Sequence, residues 1–249
     1  MSLMIENTLF CGQSFSWRHN DDSTFSAVLE NEIHTIKEGQ SEFSPFLNSY
    51  LDNEYNYKDA MIEMSKIDPI LKNAIDECGE LHILNQDLWE TVFGFILSQN
   101  NNIKRIEGLY DRTARTFGTK IKDDYYSFPR PSQLKGVTEK DLRELGVGFR
   151  ASYLLDAINR ADEILSIDQM SDEKADKILQ DTRGIGPKVS ACIRLFGLHN
   201  FEVFPKDVWV KKIMKTWFPG KDESYFAPYQ GLAQEYLFLY ARTHGIEDE

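Results

Sequence analysis

Apolar and polar positions along the chain change their period near residue 57. Before it, Phe10 to Trp17, Thr24 to Leu29 and Glu32 to Ile36 alternate in the manner of strands, and Asn20-Asp21-Asp22-Ser23 supplies a polar turn. This pattern predicts a small antiparallel sheet. From about Tyr57 onward the repeat is helical, and Leu88, Val92, Phe95 and Ile96 share one face of a helix that Asn85 or Asp87 would open. Ile106 to Phe117, Glu139 to Leu145, Ala151 to Ile164, Ser171 to Leu179, Lys188 to Phe196, Val208 to Trp217 and Gln230 to His244 read as further short helices, bounded by Gly, Pro or Asn. The expected fold class is α+β: an N-terminal antiparallel sheet domain over residues 1–80 and a mainly helical body over 81–249.

Composition narrows the function classes. The 249 residues are 41% hydrophobic and 12% aromatic, enough for a real core, which excludes disordered and collagen-like chains. No run approaches the roughly 18 to 20 apolar residues of a membrane span, and the N-terminus lacks the basic start and apolar stretch of a signal peptide. An intracellular protein without membrane association is expected. Cys11, Cys78 and Cys192 are an odd number and far apart, which suits neither a disulfide framework nor a zinc or iron–sulfur ligand set. Reduced thiols and no metal are the expectation.

Charge alone argues against nucleic acid, because 28 Lys+Arg stand against 40 Asp+Glu, a formal net charge of −12. The distribution of that charge points the other way. Residues 98–160 carry 12 basic and 8 acidic side chains, and residues 182–215 carry 7 and 2, whereas residues 1–97 carry 5 and 17. Two basic blocks therefore sit in an acidic chain, either as a binding face or as chance clustering of surface charge.

The most informative stretch is Leu179-Gln180-Asp181-Thr182-Arg183-Gly184-Ile185-Gly186-Pro187-Lys188-Val189-Ser190-Ala191-Cys192. Gly184 and Gly186 between two amphipathic segments allow a tight turn, and a phosphate could approach amide groups at the start of the next helix. That is what a helix-hairpin-helix at about 171–200 needs, and such a hairpin grips DNA through main-chain N–H groups without reading sequence. The same residues also suit an ordinary C-cap followed by Pro in the next first turn, the commoner reading of a lone Gly-x-Gly. Lys188 opens the second helix, and Phe204-Pro205-Lys206-Asp207-Val208-Trp209 follows. An amine nucleophile must lose its proton, which a free lysine with pKa about 10.4 seldom does at neutral pH, and a nearby carboxylate can stabilise positive charge on a sugar. A solvated Lys188 and an Asp207 helix cap are the plainer alternatives.

Together these motifs resemble the helix-hairpin-helix DNA glycosylases. Cys11-Gly12-Gln13-Ser14-Phe15-Ser16-Trp17-Arg18, Ser98-Gln99-Asn100-Asn101-Asn102-Ile103-Lys104-Arg105 and Leu145-Gly146-Val147-Gly148-Phe149-Arg150-Ala151 narrow the resemblance to the 8-oxoguanine DNA glycosylases of the eukaryotic type, from about Phe10 to Phe238. The resemblance implies an enzyme, a glycosylase with abasic-site lyase activity. It implies that Lys188 attacks C1′ and forms a Schiff base beside an essential Asp207. It also implies that Cys192 and Phe238 sandwich the flipped base, that Gln234 reads its Watson–Crick edge, and that the Gly12 carbonyl meets the protonated N7 of 8-oxoguanine. Asn100, Arg105 and Arg150 resemble residues that fill the vacated stack and bond the orphan cytosine, with Phe149 as a wedge. Gly184 and Gly186 belong to the hairpin, and Trp209 stands near a phosphate. An enzyme that works on a base within a duplex must extrude it and fill the gap.

The implied partner is double-stranded DNA containing oxidised guanine, bound by a monomer without an organic cofactor. Arg183, Ser190 and Trp209 depart from the usual family residues, proline, alanine and histidine. A glycosylase for another damaged purine and a non-catalytic DNA-binding module are the alternatives. Three cysteines weigh against the iron–sulfur branch of these enzymes, whose cluster needs four.

Overall fold

The computed structural model describes residues 3–246, so the outermost residues of both expected domains, 1–2 and 247–249, lie outside the described part. In chain order it contains α1 (Ile5–Phe10), β1 (Arg18–His19), β2 (Thr24–Leu29), β3 (Glu32–Lys37), α2 (Pro45–Tyr50), α3 (Tyr57–Met64) and α4 (Pro69–Cys78). There follow α5 (Leu88–Ser98), α6 (Ile103–Phe117), the short strands β4 (Lys120–Lys122) and β5 (Tyr125–Tyr126), α7 (Glu139–Glu144), α8 (Ala151–Asn159) and α9 (Ala161–Leu165). The C-terminal part holds α10 (Asp172–Asp181), α11 (Pro187–Gly197), α12 (Val208–Trp217) and α13 (Gln230–His244). A small antiparallel sheet near the N-terminus and a mainly helical body make this an α+β fold. Among the described residues no helix is long and apolar enough to cross a membrane.

Two compact units are built from discontinuous stretches. The first comprises Met1–Gln13, Glu38–Asn85 and Arg194–Glu249. Its core gathers Ile5, Leu9, Leu51, Tyr57, Leu71, Ile75 and Tyr236, all almost fully removed from solvent. Tyr236 shows how such a core accommodates a polar atom: its hydroxyl donates to Gly79 O and accepts from Leu81 N, both at 3.0 Å. Because α13 packs on α4 and α12, its face is buried from Gly231 to Leu237.

The second unit comprises Ser14–Lys37 and Gln86–Ile193. Here β1, β2 and β3 form an antiparallel sheet in register Ser26↔Thr35 and Arg18↔Ser26. Helix α5 is its core element, with Trp89, Val92, Phe93, Phe95, Ile96 and Leu97 buried against α6, α8 and α9. Each such side chain contributes roughly 1.5–3 kcal/mol. Asp87 caps α5 by accepting from Glu90 N at 3.0 Å, one of the two residues expected to open it.

Some elements differ from the periodicity. Phe10 to Trp17 is not a strand, because Gln13 is consumed by bonds to Thr8 O and His82 O and from Leu84 N, which hold this stretch as an anchored coil. Ala151 to Ile164 is two helices, broken where Arg160 leaves helical backbone and its guanidinium bonds Asp181 O and Glu163. The β4–β5 hairpin lies between the expected helices Ile106 to Phe117 and Glu139 to Leu145, where no strand is expected, and Arg18 covers the Tyr125 ring at 3.5 Å.

Glu90, in the first turn of α5, accepts a hydrogen bond from the Tyr110 hydroxyl. Burial, and next the charge of Asp87, push its carboxyl up to about 7 from 4.5, against the pull of Tyr110 and Arg130. The native state therefore holds a proton that the unfolded chain has lost between those two values. Its contribution is fully present below pH 4.5 and is lost as pH rises through 7. The shift is worth up to about 3 kcal/mol. Urea unfolding at pH 5, 6, 7 and 8 should show wild type losing stability relative to Glu90→Gln across that range, and parallel pH profiles would refute this.

Candidate functional site

The hairpin is formed by α10, the turn Thr182 to Gly186, and α11. Ile185 N closes the turn on Thr182 O at 3.0 Å, and the Ile185 side chain is buried. Gly184 adopts φ +84°, and a Cβ there would lie 2.2 Å from the Tyr153 ring, so close packing on α8 requires glycine. By contrast Gly186 has open space around it, which leaves main-chain amides at the head of α11 approachable. Arg183 N donates to Asp156 Oδ2 at 2.8 Å, a main-chain bond that any residue but proline can make. Ser190 has a reason too: its hydroxyl donates to Asp176 Oδ1 at 2.5 Å and ties α11 to α10.

Lys188 stands in the first turn of α11, half-buried, with its Nζ 5.7 Å from the centre of the Phe95 ring, within cation–π range. Cys192, one turn further, is buried and reduced, as are Cys11 and Cys78.

The residues attributed to the orphan-base side gather within the second unit. Asn100 takes φ +48° just after α5, and Asn102 caps α6 by accepting from Arg105 N at 3.0 Å. Arg105 is exposed. Phe149, in a short 3₁₀ turn, is 46% exposed and meets Tyr153 edge-on at 5.8 Å. Arg150 is only 2% exposed. Its guanidinium donates to Gln99 O (Nε, 2.9 Å), Asn100 O (3.1 Å) and Val147 O (3.1 Å), and covers the Phe149 ring at 4.5 Å. Burial and the nearby charge of Arg105 push this guanidinium below its ordinary value. Here Arg150 is the strut that holds the Asn100 loop to Phe149, and contact with a cytosine would require it to leave those carbonyls.

The remaining residues lie in the first unit. Asp207 is the N-cap of α12, its Oδ1 accepting from Val210 N at 2.7 Å. The chain leading to it is fixed by stacked, buried Phe204 and Phe226 rings 5.6 Å apart and by a Lys206–Glu223 ion pair, which lowers the Glu223 carboxyl. Trp209 is 43% exposed, on the helix that also carries Lys211, Lys212 and Lys215. On α13, Gln234 is 5% exposed, and among the described residues its Oε1 has no hydrogen-bond partner. An orphan acceptor of this kind costs about 1–3 kcal/mol and marks a place where a ligand can supply the missing donor. Phe238, one turn on, is partly exposed. Gly12 has φ +115°, a backbone open to glycine.

Sequence reasoning overlooked several supporting residues: Gln13, Phe95, Asp156, Glu235 and Arg242. Gln13 lies in the Cys11 to Arg18 motif, and Arg242 follows Phe238 by four residues on one helical face. Among the described residues no group of three or more His, Cys, Asp or Glu side chains could hold a metal ion.

Comparison with known proteins matches residues 1–92 to the family 8-oxoguanine DNA glycosylase, N-terminal domain, and residues 93–228 to the HhH-GPD superfamily of base excision DNA repair proteins. A probable N-glycosylase/DNA lyase of Methanothermobacter thermautotrophicus is 30% identical, over 73% of this chain and 70% of its own. The N-glycosylase/DNA lyase of Saccharomyces cerevisiae is 29% identical over 86% and 68%. Among solved structures, the 8-oxoguanine glycosylase/lyase of Clostridium acetobutylicum, in complex with double-stranded DNA containing cytosine opposite 8-oxoguanine, superposes with TM-score 0.88 at 30% identity, over 98% of this chain and 93% of its own. A 3-methyladenine DNA glycosylase from Archaeoglobus fulgidus shares the fold at 17% identity and TM-score 0.74. With a glycine-turned helical hairpin, a lysine at its exit and both domain families matched in order, the chain belongs to the HhH-GPD superfamily of base excision DNA repair proteins, in its 8-oxoguanine DNA glycosylase branch.

Proposed function

We propose that this protein flips 8-oxoguanine out of duplex DNA, preferentially opposite cytosine, releases it through Lys188, and then cleaves the strand by β-elimination. The observation that carries the reading is Lys188 in the first turn of α11, directly after the Gly184-Ile185-Gly186 turn, so that the element gripping the backbone also presents an amine. Attack of its Nζ on C1′ forms a C–N bond as the glycosidic bond breaks. Opening of the sugar then gives the Schiff base, whose acidified C2′ proton is lost as the 3′ phosphate departs. The Asp207 carboxylate, at a helix N-terminus, stabilises positive charge developing on the sugar.

Base reading is assigned to Gly12, Gln234 and Phe238 of the first unit and to Cys192 of the second. The unsatisfied Gln234 Oε1 calls for a donor, which the Watson–Crick edge of a purine supplies. Phe238 offers a ring to stack on, Cys192 is assigned the opposite face of the base, and Gly12 a carbonyl for the N7 proton that guanine lacks. Exposed Phe149 is the wedge, and Asn100 and Arg105 meet the orphan cytosine, with Arg150 supporting them or joining them once released. Gly184 and Gly186 serve the hairpin's phosphate grip, and Trp209 packs near a phosphate. Acting on chromosomal DNA, the protein works inside the cell as a monomer.

The test is borohydride trapping on a duplex with one 8-oxoguanine opposite cytosine, beside undamaged duplex. A covalent band and released base from the damaged duplex alone are expected. Release without a band would point to a water-activating enzyme, and neither product, with equal affinity for both duplexes, would leave a non-catalytic DNA-binding module.

A further inference from the structure

The peptide on either side of Gly12 is pinned by side chains that the reaction itself does not use. Downstream, the Gln13 carboxamide donates to Thr8 O and His82 O, each at 2.8 Å, and accepts from Leu84 N at 2.9 Å. Upstream, the Cys11 carbonyl accepts from Arg242 Nη1 at 3.3 Å. The Cys11 thiol lies within hydrogen-bonding reach of Thr8 O at 3.4 Å and of the Glu235 carboxylate. Burial, then the Glu235 charge, pushes that thiol well above its ordinary value, so it stays a neutral donor. Glycine at φ +115° has little conformational preference of its own, and its carbonyl direction is inherited from these neighbours.

Arg242 makes a second contact, with its Cζ 5.6 Å from the centre of the Phe238 ring. Gln234, Phe238 and Arg242 follow one another at four-residue steps along a single stripe of α13. One guanidinium thus joins the loop that carries the Gly12 carbonyl to the helix that carries the reading amide and the stacking ring.

We propose that Arg242 is a positioning residue for lesion recognition, holding the Cys11–Gly12 peptide and the Phe238 ring in fixed register on α13, with Glu235 bracing the same loop from within. This rests on the function proposed above. A hydrogen bond on an exposed side chain adds little stability, but loss of register at a recognition carbonyl weakens every productive encounter with the base. The abasic product offers no base to recognise, so strand cleavage at a preformed abasic site does not draw on this register.

The experiment compares wild type, Arg242→Ala and Arg242→Lys on two duplexes, one with 8-oxoguanine and one with a preformed abasic site, each opposite cytosine. Arg242→Ala should lower the single-turnover rate of base release about tenfold while abasic-site cleavage stays within about twofold. Arg242→Lys, which keeps a cationic donor, should recover part of the loss. Equal losses on both duplexes would make Arg242 merely structural, and unchanged base release, or no recovery with lysine, would also overturn the inference. Wild type that releases no base would overturn the proposed function, and this inference with it.

Discussion

Lys188→Gln is expected to abolish the borohydride-trapped adduct and to slow strand cleavage by at least about a thousandfold, since an amide nitrogen cannot supply the attacking electron pair or form the Schiff base. Glutamine is nearly as good a helix former as lysine, and the position is half-buried beside Phe95 rather than packed in the core, so the variant should fold as wild type does. Hairpin glycines and their amides are untouched, and binding to lesion duplex should therefore remain within a few-fold. Gel analysis of trapped complex and fluorescence anisotropy with the same duplex separate the two effects. An adduct that persists in Lys188→Gln would move the nucleophile elsewhere, and Lys206, the neighbour of Asp207, would be the first alternative to replace.

Asp207 offers a sharper dissection, because one side chain serves two purposes. Its Oδ1 caps α12 through Val210 N, and asparagine caps a helix as well as aspartate does. Asp207→Asn should thus keep stability within about 0.5 kcal/mol, while removing the negative charge lowers base release by about a hundredfold or more. Asp207→Ala loses the cap as well, costing about 1 kcal/mol of stability in addition. Thermal unfolding together with single-turnover base release distinguishes the two. Full activity in Asp207→Asn would reduce the residue to a helix cap.

What is legible in the chain follows from locality. Val208–Trp217 and Gln230–His244 form as their periodicity indicates, and α5 begins at one of its two candidate caps, because caps and i, i+4 spacing act over a single turn. Thr24–Leu29 and Glu32–Lys37 pair for a similar reason, joined by a tight turn at Glu30 and Asn31 with positive φ. Phe10 to Trp17 alternates like a strand, but the bonds that decide its conformation go to Thr8, His82 and Leu84, two of them about seventy residues away. Arg160 breaks a helix for the same kind of reason, reaching the end of α10.

The α+β class, the helix-hairpin-helix turn and the family are all written in short runs of residues whose chemistry is local: glycines that turn, a lysine after them, an aspartate that opens a helix. Which arginine holds and which is free is settled by packing instead. Arg105 and Arg150 look alike as letters, yet Arg150 is buried on three main-chain carbonyls while Arg105 is exposed, and nothing within a few residues of either dictates that outcome. Packing likewise leaves Gln234 with a buried, unanswered acceptor and brings Arg242 back to Cys11, 231 positions earlier. Such contacts depend on where the chain returns in space, and closing those long loops is a property of the whole packed fold rather than of any segment.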